Sequence, residues 1–198
     1  IRVAAEMNVG QDPISGITIS NNDIELGVNC LGFQCDNLSY DLTALRDITI
    51  ENNILKTTGL MAGEGMAQIS GTGVFKGNTV EVSGGEIGIQ FFFWNSRTVE
   101  WTIENNDFVG INCQSAAIFH WDPDDKASVA FNMVNNTFAG FNSGVVHMGL
   151  CTAVFRSNCF MGEEALWSTR SVVDAKYNYW GHENGPFNAT LNPSGLGG

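Results

Sequence analysis

The chain has 198 residues, of which 43% are hydrophobic and only 15% are charged, and its formal net charge is −12. Its nine lysines and arginines occur without forming a basic stripe, which argues against nucleic acid and anionic membrane surfaces as partners. No uninterrupted apolar run is long enough to cross a bilayer, so the sequence predicts no membrane span. The length suits one domain.

A short phrase recurs seven times along the chain. Two apolar or small residues lie two positions apart, Asn follows three positions later, and one more apolar residue follows the Asn. The seven asparagines are Asn22, Asn53, Asn78, Asn106, Asn136, Asn158 and Asn178, with steps of 31, 25, 28, 30, 22 and 20 residues. Alternation of this kind indicates half-buried strands, and a repeat of this period is typical of a solenoid of stacked coils.

Each repeated Asn is interpreted as a turn residue between two strands. Asn tolerates the left-handed backbone conformation and hydrogen-bonds within turns, so we expect each of the seven to bend the chain in that conformation. Stacked at the spacing of neighbouring strands, their side-chain amides are also expected to bond to one another along the axis. The sequence therefore predicts an internal Asn ladder.

A second set of strands is predicted after several of the turns, at residues 87–91, 116–120, 144–148 and 165–169. Alternation places Ile118 inside the solenoid, and it places Val146 and Met148 inside with His147 facing outward. The same rule predicts an outer aromatic platform suited to stacking on sugar rings or docking a protein surface. Its members are Phe92, Trp94, Phe119 and Trp121.

The segment from His120 to Lys126 carries the best candidate for chemistry, because three carboxylates lie within four residues beside Trp and His. Asp122, Asp124 and Asp125 are candidate Ca²⁺ ligands, and calcium is the one cofactor that the sequence suggests. His120, Asp122, Asp124 and His147 are candidate catalytic residues for acid and base chemistry on a sugar. The alternative is a solvated turn between strands, which Asp-Pro-Asp-Asp also favours.

The five cysteines are an odd number, so at least one thiol is expected to be free within a single chain. Cys113 lies within a coil and is expected to be a buried thiol. Cys30 with Cys35, and Cys151 with Cys159, are close enough in sequence to form local bridges, which the sequence leaves open. No Cys-x-x-Cys pair suggests zinc.

The last repeat ends in Asn178-Tyr179-Trp180-Gly181, followed by Gly185-Pro186 and then Asn192-Pro193. Trp180 is expected to cover the open end of the core, and the glycines and prolines after it disfavour a further strand. The predicted organisation is a lead-in at residues 1–16, the repeats at 17–180 and a capping segment at 181–198.

Residues 17–180 resemble the right-handed parallel β-helix of the pectate-lyase-like superfamily, which has an internal Asn ladder. The Asn-Tyr-Trp-Gly, Gly-Pro, Asn-Pro ending resembles that of many β-helix repeat proteins secreted by bacteria and archaea. The resemblance implies an all-β fold, a right-handed parallel β-helix of about seven coils. It also implies an extracellular or cell-surface location and flanking domains in a larger protein.

Two functions remain open. The first is a rigid, non-catalytic module that serves as a spacer, an adhesin or a carbohydrate-binding surface. The alternative is a polysaccharide lyase, epimerase or hydrolase with its site on the outer face, although the sequence lacks the catalytic motifs of polygalacturonases and pectate lyases in this superfamily. Both functions imply a polysaccharide or glycan as partner. End-to-end self-assembly through uncapped coils is a third possibility.

Overall fold

The computed structural model describes residues 2–5, 14–26, 33–37, 45–57, 67–69, 71–84, 87–92, 98–121, 128–186, 190 and 192–195. All regular secondary structure within these ranges is β-strand, and the protein is an all-β parallel solenoid. No helix long and apolar enough to cross a membrane occurs in these ranges.

The strands of the described ranges are short except where one strand continues through two sides of the solenoid. In chain order they are β1 (Arg2–Ala5), β2 (Ile14–Ser15), β3 (Thr18–Ser20), β4 (Asp23–Leu26), β5 (Phe33–Asn37), β6 (Leu45–Arg46), β7 (Ile48–Glu51), β8 (Ile54–Thr57), β9 (Ala67–Ile69), β10 (Gly73–Lys76), β11 (Thr79–Ser83), β12 (Ile89–Phe92), β13 (Thr98–Glu104), β14 (Asp107–Trp121), β15 (Ser128–Val134), β16 (Thr137–Met148), β17 (Cys151–Arg156), β18 (Cys159–Met161), β19 (Glu164–Ser168) and β20 (Val172–Asp174).

The strands form parallel sheets in which each strand pairs with the equivalent strand of the neighbouring repeat. One sheet has seven strands in the order β20-β17-β15-β13-β10-β7-β3. A second sheet has eleven strands, with β1-β5-β9-β12-β14-β11-β8-β4 as its main path and β16, β18 and β19 joined to it through β14. Strands β2 and β6 form a two-stranded sheet. Each of these pairings is parallel, as stacked coils require.

The first two apolar positions of the repeated phrase point mainly into the core. Ile48 and Ile50, Trp101 and Ile103, Phe131 and Met133, and Ala153 and Phe155 are all buried. In the seven-stranded sheet these positions lie side by side, as in the register of Phe75 with Ile50 and Ile103. The alternation read from the sequence is therefore that of the folded strands.

The left-handed turn residue is not the repeated Asn but the residue before it. Positive φ angles of 55° to 63° occur at Asn21, Asn52, Gly77, Asn105, Asn135, Ser157 and Tyr177. The expectation that the repeated Asn itself is left-handed was therefore wrong. The bend is made one position earlier, and the repeated Asn turns its side chain into the interior, where Asn53, Asn78, Asn106, Asn136 and Asn158 are buried.

The seven repeated asparagines are joined side chain to side chain, and we call them the asparagine column. From Asn22 to Asn158, each Nδ2 donates to the Oδ1 of the next member, over distances of 2.8 to 3.1 Å. The same Oδ1 accepts the backbone N–H of the preceding member, for example from Asn78 N to Asn106 Oδ1 at 2.8 Å. Buried amides are thereby satisfied by their equivalents in adjacent repeats.

In the last four repeats a row of aromatic rings runs beside the asparagine column, two positions after each Asn. Phe108 stacks on Phe138 at a centroid distance of 5.0 Å, and Phe138 stacks on Phe160 at 4.9 Å. Trp180 continues the row by stacking on Phe160 at 5.1 Å with an interplanar angle of 13°. The described ring row ends at this half-buried Trp.

Strand pairing begins before residue 17, inside the predicted lead-in. Strand β1 pairs with β5, and β2 pairs with β6. After Trp180 the chain takes an irregular path in which the side chain of Asn192 donates to the carbonyl oxygens of Asn184 and Pro186 at 2.7 and 2.8 Å. The segment at residues 181–198 is thus held by turn hydrogen bonds in its described part.

Candidate functional site

His120 and His147, two of the four predicted catalytic residues, lie inside the solenoid. Each has 0% of its surface exposed. They are neighbours in the register of β14 and β16, and their ring centroids are 5.6 Å apart. The structure therefore brings the two histidines together, but within the core rather than on the outer face.

The predicted phase of β16 was wrong by one residue. Strand pairing places Val145 beside Ile118 and His147 beside His120, so Val145 and His147 face the interior. Val146 instead pairs with Phe119 and lies on the other side of the strand. Simple alternation failed because the pairing of β14 with β16 contains two register shifts, between Val109 and Cys113 and between Cys113 and Ala116.

The remaining predicted site residues are only partly described. Asp122, Asp124 and Asp125, the calcium and acid–base candidates, lie outside the described residues, as does Trp94. Of the predicted aromatic platform, Phe119 and Trp121 are half-buried in β14, and Phe92 pairs with Trp121 in the backbone register. Trp167, which the sequence reasoning missed, is 41% exposed and pairs with Val146 in the row of Phe119.

The interior histidines form a cluster with Cys151, the first residue of β17. One potential ligand atom from each of His120, His147 and Cys151 lies within 4.8 Å of the other two. Both imidazoles pack on Phe131, whose ring centroid is 5.3 Å from that of His120 and 5.2 Å from that of His147. All three side chains are buried, and the cluster offers nitrogen atoms of two imidazoles and the sulfur of one thiol as potential metal ligands.

Hydrogen bonding in the cluster is uneven. The Cys151 thiol donates to Ser171 Oγ at 3.0 Å, and the Ser171 hydroxyl donates to the Gly149 carbonyl at 3.0 Å. In the described part of the chain, both ring nitrogens of His147 are buried without a hydrogen-bond partner, and so is Ser168 Oγ. Ser168 pairs with His147 in the register of β16 and β19.

Burial keeps the cluster uncharged. Desolvation lowers the pKa of His120 to about 4. Desolvation, and secondarily a positive charge on His120, lower the pKa of His147 to about 3. Desolvation raises the pKa of the Cys151 thiol to about 11, against a smaller lowering by its hydrogen bond with Ser171. Near neutral pH the cluster consists of two neutral imidazoles and one thiol.

The sequence reasoning considered Cys151 only as a disulfide partner for Cys159. Both residues are free thiols, and Cys113 is also free. As predicted, Cys113 is buried, and its thiol donates to the Val82 carbonyl at 3.0 Å. The signal for Cys151 is its position two residues before Ala153 in the alternating phrase, which directs its side chain inward.

A second feature is an open groove of about 610 Å³ on the outside of the seven-stranded sheet. It crosses five neighbouring strands, whose outward residues Thr49, Val74, Thr102, Asn132 and Val154 are paired in one row. Asp47, Thr72, Glu100 and Thr152 also line it, and no Lys or Arg occurs among its described lining residues. The groove therefore offers hydroxyl, amide and carboxylate groups along the solenoid axis.

Comparison of the chain with protein-family models, curated proteins and solved structures finds no match.

Proposed function

We propose that this protein is a rigid, non-catalytic β-helical module of a larger secreted or cell-surface protein, and that its groove binds an uncharged glycan chain. We also propose that the solenoid has the fold that the sequence predicts, a right-handed parallel β-helix of about seven coils of the pectate-lyase-like type. The seven-stranded sheet supports that coil number because it contains one strand for each repeated phrase.

Rigidity is supported by two sets of contacts that run the length of the solenoid. Backbone hydrogen bonds join each strand to the next repeat, and the asparagine column joins the turns. The rows of buried side chains and stacked rings fill the space between the sheets. A surface built on such strands keeps its shape when a ligand binds, which lowers the entropic cost of binding.

The groove is the observation that carries the glycan proposal. Five parallel strands at a spacing of about 4.8 Å give it a length of about 19 Å, enough for several sugar units of an extended chain. Thr49, Thr102 and Asn132 provide donors and acceptors on three of the five strands. These groups match the hydroxyls of a polysaccharide lying parallel to the solenoid axis.

Charge selects among glycans. Asp47 and Glu100 line the groove with carboxylates, and its described lining lacks a cation to balance an acidic polymer. The formal net charge of −12 acts in the same direction over the whole chain. Uronate polymers are therefore disfavoured, and neutral glycans are the expected ligands.

The enzymatic alternative receives no comparable support from the geometry. Its outer-face site relied on His120 and His147 together with Asp122 and Asp124. The two histidine side chains have no exposed surface with which to contact a polymer, and the two aspartates lie outside the described residues. A general acid or base must come within hydrogen-bond distance of the substrate proton that it transfers. The two histidines would reach such a substrate only if the sheets separated.

The proposal is tested by affinity electrophoresis and calorimetry with neutral and uronate polysaccharides, on the parent and two matched variants. Thr102→Arg places a long cation in the middle of the groove, whereas Thr79→Arg makes the same substitution on the half-buried Thr79 of β11, outside the groove lining. We expect the parent and Thr79→Arg to bind at least one neutral polysaccharide and Thr102→Arg to lose that binding.

Equal binding by both variants would place the ligand elsewhere on the surface. Failure of the folded parent to bind any neutral polysaccharide would overturn the glycan function. Release of reducing ends or unsaturated sugars by the parent would overturn the non-catalytic assignment.

A further inference from the structure

The cluster of His120, His147 and Cys151 is more polar than its place in the fold requires. The row that contains the two imidazoles also contains Phe91, which pairs with His120 and is fully buried. A phenyl ring therefore fits this row. An imidazole ring fills similar space but adds two nitrogens that need partners.

For His147 those partners are missing, because both of its nitrogens are buried without a hydrogen bond in the described part of the chain. The side chain is enclosed by aromatic rings, including Phe131 and Phe155, at centroid distances of 5.2 and 6.1 Å. Buried polar atoms are normally satisfied by protein, water or an ion. One potential ligand atom of His147 lies within 4.8 Å of one from His120 and one from Cys151, so an ion held by these three residues would supply the missing partner.

We propose that His120, His147 and Cys151 form an internal binding site for a monovalent copper ion. Two imidazole nitrogens and a thiolate sulfur are ligands that suit copper, and thiolate selects the soft Cu⁺ state. A small movement of the side chains brings three ligand atoms from their present separation to one ion.

Ligand number and charge favour Cu⁺ over Zn²⁺ in this position. Protein-bound Zn²⁺ is almost always four-coordinate and keeps water in its fourth position when the protein supplies three ligands. Both histidines have no exposed surface, and Cys151 is also buried, so the cluster is poorly placed to hold such a water. One Cu⁺, one thiolate and two neutral imidazoles sum to zero charge, which reduces the cost of burial.

Ser171 would hold the sulfur of Cys151 in position. The Cys151 thiol now donates to Ser171 Oγ, which donates to the Gly149 carbonyl. When Cu⁺ binds, the S–H bond breaks, a Cu–S bond forms and the proton leaves to solvent. The Ser171 hydroxyl can then rotate to donate to the thiolate, as groups behind metal ligands commonly do.

The test loads the full chain with Cu⁺ during refolding under anaerobic, reducing conditions and then exposes it to a soluble Cu⁺ chelator. Copper retained by the folded protein is measured by elemental analysis. Cys151→Ala and His147→Phe each remove one ligand, and Cys159→Ala is the matched control because Cys159 is a free, half-buried thiol outside the cluster.

We expect the parent and Cys159→Ala to retain about one copper per chain and the two ligand variants to retain none under the same competition. Ser171→Ala should lower the affinity by roughly tenfold without abolishing binding. X-ray absorption of the loaded parent should show both nitrogen and sulfur bound to copper. This spectrum tests the site even if a ligand variant does not fold.

Equal retention by the parent and Cys151→Ala, or a copper spectrum without sulfur, would overturn the site. So would a folded parent that retains no copper. Refolding with both ions supplied tests the choice of metal, and retention of Zn²⁺ in place of Cu⁺ would overturn the assignment of the ion.

Discussion

Replacing Asn106, the central member of the asparagine column, with Ala should destabilise the protein. The Asn106 side chain makes four hydrogen bonds. Its Nδ2 donates to the Phe75 carbonyl and to Asn136 Oδ1, both at 2.9 Å. Its Oδ1 accepts from the backbone N–H of Asn78 at 2.8 Å and from the Asn78 side chain at 3.1 Å. The substitution removes all four.

The expected loss follows from these contacts. A hydrogen bond in a protein contributes about 1 kcal/mol on average, so four contribute about 4 kcal/mol. The Asn78 side chain keeps its hydrogen bonds to the Ile50 and Lys76 carbonyls, which reduces the loss of stability. The Asn78 backbone N–H remains buried without its acceptor, which increases the loss. We therefore expect the free energy of unfolding to fall by about 3 to 5 kcal/mol.

Denaturant titration followed by circular dichroism measures this change, with Asn132→Ala as the matched control. Asn132 lies on β15 with an exposed side chain, and surface substitutions of this kind usually change stability by less than about 0.5 kcal/mol. If Asn106→Ala loses less than about 1 kcal/mol, or no more than Asn132→Ala, the column does not stabilise the fold as argued here.

Two further substitutions test the turns and the end of the ring row. Tyr177 has a φ of 62° and is 83% exposed, whereas four equivalent turns have Asn at this position. Tyr177→Asn should therefore raise the free energy of unfolding by about 0.5 to 1 kcal/mol, measured by the same denaturant titration. A loss of stability would contradict the argument that Tyr177 is strained. Trp180→Ala removes the ring stacked on Phe160 and should lower the free energy of unfolding by about 3 kcal/mol, measured by thermal and denaturant unfolding. An unchanged midpoint would show that the stack contributes little.

The seven repeats made much of the fold predictable from the sequence. Alternation before a fixed Asn identified the strands of the seven-stranded sheet, because one buried face imposes a period of two wherever the strand is regular. Ile48, Ile50 and Phe75 are buried as that rule requires. The turn was located to within one residue, but the sequence could not tell which residue of a pair such as Asn105-Asn106 takes the positive φ, since both favour it.

The candidate sites were harder to predict, for two physical reasons. Register shifts between β14 and β16 changed the phase of His147, and alternation within one strand contains no information on such shifts. The cluster also joins Cys151 of one sheet to histidines of the other. Because the repeats differ in length by many residues, the sequence did not indicate which positions of two sheets would face each other across the core.

The asparagine column makes the contact between neighbouring repeats independent of the length of each repeat. Successive members are 20 to 31 residues apart, yet every one meets its neighbour in the same way. The extra residues of the longer repeats therefore leave the contacts within the column unchanged. If a whole repeat were added or removed, the repeats on either side could still pair, and the length of the solenoid would change by about 4.8 Å. The length of the solenoid is therefore set by the number of repeats and not by the number of residues.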